Sequence, residues 1–187
     1  DECFTLSYSS KSIPNLIETL KKDVHPIGYY IPQYLILRYF GDSEFSLRIL
    51  SVIFGLLSVY LTYLLGKKLF SWKEGLLSAF FMAISYTAIL YSQEAKMYSM
   101  FGAIFLLSLL AFIRFLEKPS LSNTMLFSIF TALLLYTHII GLVIFFGYLL
   151  FYVTGYFLKY NAGIGSSFSG KYLFSPKIFL VLLIIFL

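Results

Sequence analysis

The stretch Ile49–Gly66, ILSVIFGLLSVYLTYLLG, runs eighteen residues without an ionisable side chain. As a helix rising 1.5 Å per residue it is about 27 Å long, close to the roughly 30 Å hydrocarbon thickness of a bilayer. Arg48 precedes it and Lys67-Lys68 follow it, so cations bracket an apolar rod. A helix of this kind satisfies its backbone hydrogen bonds internally, which lipid requires of any segment that crosses it.

Working outward from that stretch, Gly75–Gln93, Met97–Ile113 and Ile139–Leu158 are equally free of charge. Leu121–Thr137 is shorter but also uncharged and counts as a further span, and Ile178 onward begins another. The whole chain is 59% hydrophobic, 20% aromatic and 12% charged, with mean hydropathy +0.85. Soluble domains carry about 25% charged residues, so lipid is expected to cover most of this surface. The expected fold is all-α: a polytopic transmembrane helical bundle, with interfacial juxtamembrane helices in the first outer loop. Its parts are an outer loop over 1–47, a transmembrane region over 48–158, a cytoplasmic loop over 159–177 and the start of a further helix over 178–187. A single cysteine, Cys3, excludes an internal disulfide and a cysteine-rich zinc site. The net charge of +5 would suggest nucleic acid in a soluble chain. Here it is assigned to loops facing an anionic membrane, and no nucleic-acid partner is expected. The chain opens on Asp1-Glu2, ends inside the apolar run Ile178–Leu187 and has no signal peptide, so it is expected to be a piece of a longer protein.

Basic residues orient the bundle. Lys67, Lys68 and Lys73, then Arg114 and Lys118, then Lys159, Lys171 and Lys177 fall on one side if the spans alternate. The positive-inside rule makes that side cytoplasmic in a multi-pass plasma-membrane protein. The opposite side receives Asp1–Arg48, the turn Ser92–Tyr98 and the corner Tyr136-Thr137-His138. Within the first loop, Ser12–Lys22 reads as a short amphipathic helix with Ile13, Leu16, Ile17 and Leu20 on one face. Pro26–Phe40, with Pro32 and Arg38 inside it, is too short and broken to span and reads as a second interfacial or re-entrant helix. Asn161–Gly170, NAGIGSSFSG, reads as a flexible loop.

The spans are chemically bland and the outer face is not. Asp1, Glu2, His25, Arg48, Glu94, Lys96 and His138 come from five separate stretches and are delivered to one membrane surface. An enzyme acting on a lipid headgroup needs that placement, because the tail stays in the bilayer. A transporter or flippase for a lipid-linked headgroup instead places ionisable groups or broken helices near the midplane. A non-catalytic homologue would keep only the scaffold. Each residue also has a plain alternative. Glu94 can favour a helix dipole, Lys96 can snorkel, and Arg48 can anchor an interface. His25-Pro26 can mark a turn, His138 can be a structural histidine, and Tyr29, Tyr30, Tyr34 and Tyr39 can form an aromatic belt. There is no glycine-rich phosphate loop, G-x-S-x-G elbow, H-E-x-x-H or D-x-D motif.

Taken in order, the motifs resemble those of GT-C membrane glycosyltransferases, of the protein O-mannosyltransferase and aminoarabinose-transferase type. They are Asp1-Glu2, His25-Pro26-Ile27-Gly28-Tyr29-Tyr30, Gly41 through Arg48, Ser92-Gln93-Glu94-Ala95-Lys96-Met97-Tyr98, and Tyr136-Thr137-His138 followed by Gly141-Leu142. The resemblance covers about Asp1–Tyr156, and SQEAKMY is its most specific part. It implies sugar transfer from a polyprenyl-phosphate-linked donor to a protein, lipid or glycan acceptor on the non-cytoplasmic side. It implies Asp1 as the catalytic acidic residue with Glu2 as its companion. Arg48, Lys96 and His25 would then lie near the donor phosphate, with Glu94, Tyr98 and His138 as supporting residues. Two departures stand out. The family usually has His-Pro-Pro where this chain has His25-Pro26-Ile27, and commonly arginine where this chain has Lys96. Lysine keeps the charge but loses bidentate geometry. Side chains alone can neutralise a monophosphate leaving group, so no cofactor is required, and a divalent metal remains compatible with the pattern.

Overall fold

The computed structural model describes residues 2–9, 13–20 and 27–162, and among these the regular structure is entirely helical. The helices are α1 (Glu2–Ser9), α2 (Ile13–Leu20), α3 (Tyr30–Phe40), α4 (Glu44–Leu69), α5 (Trp72–Ile84), α6 (Tyr86–Gln93), α7 (Tyr98–Glu117), α8 (Leu121–Thr137) and α9 (Ile140–Ala162).

Local chemistry sets the ends of the long helices. The Ser43 hydroxyl accepts the N–H of Ser46 at 3.2 Å and starts α4, with Glu44 in its positive first turn and Lys67 and Lys68 in its negative last turn. Ser71 caps α5 by accepting the N–H of Lys73, and Ser120 caps α8 by accepting that of Asn123. Two helices, α4 and α7, are long and apolar enough to cross a membrane, and α5 with α6 makes a third if the bent pair is one span. Leu121–Thr137 and the stretch Ile140–Gly155 of α9 are apolar but shorter. The expected all-helical membrane bundle is what the chain forms. Its large exposed apolar side chains, among them Ile53, Leu56, Leu76, Phe80, Phe81, Val143 and Phe146, are the surface that lipid would cover.

Several expectations are corrected in detail. Gly75–Gln93 is not one straight helix: it breaks at Ser85 and the two pieces are bent by 58°. Ser85 adopts extended backbone, its N–H closes back on the Met82 carbonyl at 3.3 Å, and α6 restarts with Ile89 N–H donating to the Ser85 carbonyl. Serine weakens a helix interior by offering the backbone other partners, and the Thr87 branch adds rotamer cost. Within the expected amphipathic helix Ser12–Lys22 the described residues Ile13–Leu20 are helical, and Leu16 is buried in protein while Ile17, expected on the same face, is exposed. In agreement with the expectation that Pro26–Phe40 does not span, helix α3 has 11 residues, about 16 Å, too short to cross. Helix α9 runs through Asn161 and Ala162, the first two residues of the expected flexible loop. The rest of that loop and Ile178–Leu187 lie outside the described residues.

Two contacts at opposite ends show that α4 and α7 run parallel. Near their beginnings the Ser51 hydroxyl donates to the Lys96 carbonyl at 3.2 Å, and at their far ends Lys68 Nζ meets Glu117 Oε2 at 2.6 Å. The α5–α6 pair must therefore run back between them. Leu61, Ala103 and Leu110 fill the α4–α7 seam, and Phe112, Phe115, Phe127, Tyr148 and Tyr152 knit α7, α8 and α9. A third cluster gathers Leu16, Tyr29, Tyr30, Leu50, Met97, Met100, Ile104 and Leu134 from five helices at one end of the bundle. That end carries the candidate site.

Candidate functional site

Residues Glu94–Met97 form the turn that joins α6 to α7. The Lys96 N–H donates to the Glu94 carbonyl at 2.8 Å, which folds the chain tightly there. Ala95 is fully buried, packed with Leu37 and Leu47, and Leu6 lies against the same cluster. Hydroxyls from two helices hold the next carbonyls: Thr5 of α1 donates to Ala95 O at 2.8 Å and Ser51 of α4 donates to Lys96 O at 3.2 Å. The Ser99 hydroxyl donates to Tyr91 O at 2.7 Å, tying α7 back to α6 across the turn.

This anchored backbone presents Lys96 over an aromatic platform. Its Nζ lies 5.7 Å from the Tyr98 ring centroid, within cation–π range. Tyr98 stands 4.7 Å from Tyr91 and 6.1 Å from the His138 ring, and Phe101 lies 5.2 Å from His138. His138 ends α8, and its Nδ1 accepts the N–H of Ile140 at 3.1 Å. In the neutral ring that bond leaves the proton on Nε2, so the imidazole presents a donor.

The backbone of the motif following His25 docks on the same corner. Gly28 N–H donates to Tyr136 O at 2.8 Å. A Cβ at position 28 would collide with the Tyr136 carbonyl and come within 3.2 Å of Thr137 N, so the approach requires glycine. Gln33, wholly buried on α3, donates to Ser46 O at 3.2 Å and holds α3 against the start of α4. One turn into α4, Arg48 pairs with Glu44 at 2.8 Å and lies one turn before Ser51.

Lys96, Tyr98 and His138 are thus brought together. Glu94 is in the same turn, Arg48 is on the helix that reaches that turn, and Glu2 is the first residue of the helix that reaches it through Thr5. Asp1 and His25 lie outside the described residues. Among the described residues no group of three or more histidine, cysteine or acidic side chains is arranged to hold a metal ion. Sequence reasoning missed Thr5, Ser51, Tyr91 and Phe101. Their roles depend on partners far away in the chain, and only the Tyr91–Tyr98 flanks of the SQEAKM stretch gave a local signal.

A family model described as dolichyl-phosphate-mannose-protein mannosyltransferase matches residues 24–187. No curated protein and no solved structure matches the chain.

Proposed function

The chain belongs to the dolichyl-phosphate-mannose-protein mannosyltransferase family, and from that premise we propose that it transfers a mannosyl or related glycosyl group from a polyprenyl-phosphate donor to an acceptor hydroxyl at the non-cytoplasmic face. The observation that carries this reading is the meeting of Lys96, Tyr98 and His138 at the end of the bundle reached by α1 and by the Arg48 end of α4. A protein hydroxyl is the acceptor that the family description favours, with lipid or glycan as alternatives.

In the proposed mechanism the acceptor oxygen attacks the sugar's C1 from the face opposite the phosphate. Asp1, supported by Glu2, takes the hydroxyl proton. The bond from C1 to the phosphate oxygen breaks, its electron pair stays on the phosphate, and the anomeric configuration inverts. The donor phosphodiester carries one negative charge and the departing polyprenyl phosphate gains a second. Lys96 and Arg48, with His25, therefore bind the transition state more tightly than the ground state. Tyr98 holds Lys96 over its ring face, and His138 packs against Tyr98. Glu94 orders the turn. No step requires a metal.

The transporter reading has one supporting feature, the broken α5–α6 pair. The break is flanked by Ile84, Tyr86 and Thr87, and the pair carries no ionisable side chain beyond its first turn except the phenols Tyr86 and Tyr91.

The test is sugar release from polyprenyl-phosphate mannose onto serine- and threonine-containing peptides, using the protein in nanodiscs. Transfer by the parent and its loss in Asp1→Asn, with donor affinity kept, is the expected result. Turnover near the parent's in Asp1→Asn would remove Asp1 as the base. Movement of intact donor across the bilayer without transfer would favour the transporter. The sidedness has its own check: a cysteine at Gln93 should react with an impermeant thiol reagent in intact cells and one at Ser71 should not. The reverse pattern would put the site on the cytoplasmic face.

A further inference from the structure

Helix α1 lies outside the segment matched by the family model, yet it is built into the turn that carries Lys96. Thr5 is 3% exposed and its hydroxyl donates to the carbonyl of Ala95, a residue with no exposure at all. The next carbonyl, that of Lys96, accepts from Ser51, which is also fully buried. Two successive peptide groups are therefore gripped by hydroxyls of two different helices. A third bond, from Lys96 N–H to Glu94 O, closes the turn between them. Thr5 stands one helical turn after Glu2, so the grip on Ala95 also fixes the start of α1 relative to Lys96.

We propose that Thr5 is a positioning residue for the reaction: its hydrogen bond to Ala95 sets the place of the Lys96 ammonium. This rests on the glycosyl-transfer reading given above, and deepens it. In that reading the acid acts on the acceptor and the cation acts on the leaving phosphate, on opposite faces of one sugar. The place of the cation therefore bears on the rate. The two chain segments are 90 residues apart at Thr5 and Ala95, and one buried bond spans them. A hydroxyl is the smallest group that can do this from a helix whose neighbouring Leu6 is already packed on the cluster of Leu37, Leu47 and Ala95. Valine has the shape of threonine without the donor, and leaves the Ala95 carbonyl buried and short of one partner.

The experiment compares Thr5→Val, Thr5→Ser and Lys96→Met, alone and with Thr5→Val added to Lys96→Met, in nanodiscs. Two readings are taken: kcat and KM for transfer from polyprenyl-phosphate mannose, and affinity for polyprenyl monophosphate, which mimics the leaving group. Displacing a catalytic group by about 1 Å can cost on the order of 100-fold in rate. Thr5→Val is expected to lower kcat about 10- to 100-fold with KM for the donor changed less than about threefold. It should weaken binding of the monophosphate dianion about tenfold. Thr5→Ser restores both, and Thr5→Val has no further effect on monophosphate binding once Lys96 is methionine. An equal loss in the Lys96→Met background, or parent-like behaviour of Thr5→Val, overturns the inference while leaving the glycosyl-transfer reading intact. If the parent transfers no sugar but the monophosphate pattern holds, the transfer reading fails and the positioning role stands. If the parent neither transfers sugar nor binds the monophosphate, both are overturned.

Discussion

At the end of the bundle that carries Lys96, the chain is closed by contacts between residues distant in sequence: the buried bond of Thr5 to Ala95, the half-buried bond of Ser51 to Lys96, and the backbone bond of Gly28 to Tyr136. At the opposite end the closing contacts are mostly local and exposed. Ser71 and Ser120 cap their own helices, Asn123 Nδ2 donates to Lys118 O at 2.7 Å, and Ser71 bonds Glu74. Lys68–Glu117 does cross the bundle there, but with its side chains 26% and 52% exposed. Surface ion pairs of this kind contribute about 0–1 kcal/mol. The two ends use their polar groups differently. One end seals its loops with solvated caps. The other fixes backbone carbonyls from several helices at once, which preorganises side chains for work on charge that develops in a reaction.

The sharpest way to break this comparison is to exchange a cation for methionine at each end. Lys96→Met should reduce turnover by about 10²–10³, the usual consequence of losing a preorganised contact to developing charge. Lys68→Met should leave turnover within about twofold and cost at most about 1 kcal/mol of stability. Initial rates and thermal unfolding in nanodiscs decide it. Equal activity of Lys96→Met and the parent would make the Lys96 end a seal like the other.

A middle-sized effect comes from the two places where backbones touch. Gly28 meets Tyr136, and on the far side Gly75 packs on α4, where a Cβ would come within 2.8 Å of Tyr63 O and 2.9 Å of Lys67 N. Gly28→Ala and Gly75→Ala are both expected to lower stability by about 1–3 kcal/mol, the range for forcing a group into a packed space. They should part in function. Gly28→Ala shifts the Tyr136–His138 corner and should lower kcat in protein that remains folded, whereas folded Gly75→Ala should turn over normally. Parallel losses of kcat would mean that the whole bundle, rather than one end, sets the geometry.

The helices were legible from sequence because uncharged runs such as Ile49–Gly66 report lipid directly, whereas the caps at Ser43, Ser71 and Ser120 came only with the structure. The bend at Ser85 was not legible, since neither proline nor glycine marks it and the residues around it are ordinary helix occupants. The same division holds at the candidate site. Lys96, Tyr98 and His138 stand out because charge and polarity are rare in this chain. Thr5 and Ser51 look like any small polar residues on a helix. What distinguishes them is a carbonyl 90 or 45 residues away, and no local pattern encodes that. Gln33 is hidden for the same reason, its amide meaning little until α3 folds against Ser46.

The smallest effect expected, and the one that tests whether the far end is only a seal, concerns Ser71. Its hydroxyl accepts the N–H of Lys73 and donates to the Glu74 carboxylate, and that second bond holds Glu74 below its ordinary value of 4.5. A carboxyl lowered by folding adds stability above its unfolded value, and the contribution is lost as pH falls through the lowered folded value. Ser71→Ala returns Glu74 toward 4.5 and also removes the cap. The variant should therefore unfold at a slightly lower temperature than the parent at neutral pH, with a cap loss on the order of 0.5 kcal/mol. The gap should narrow as pH falls below 4.5, leaving the pH-independent share of the cap. Turnover at neutral pH should not change, because this end reaches Lys96 only through the full length of the helices between them. Thermal unfolding of both proteins between neutral pH and pH 3, with initial rates at neutral pH, makes the comparison. A gap that widens in acid would show that Glu74 is not held by Ser71. A fall in turnover would show that the caps at the far end also set the position of the catalytic turn.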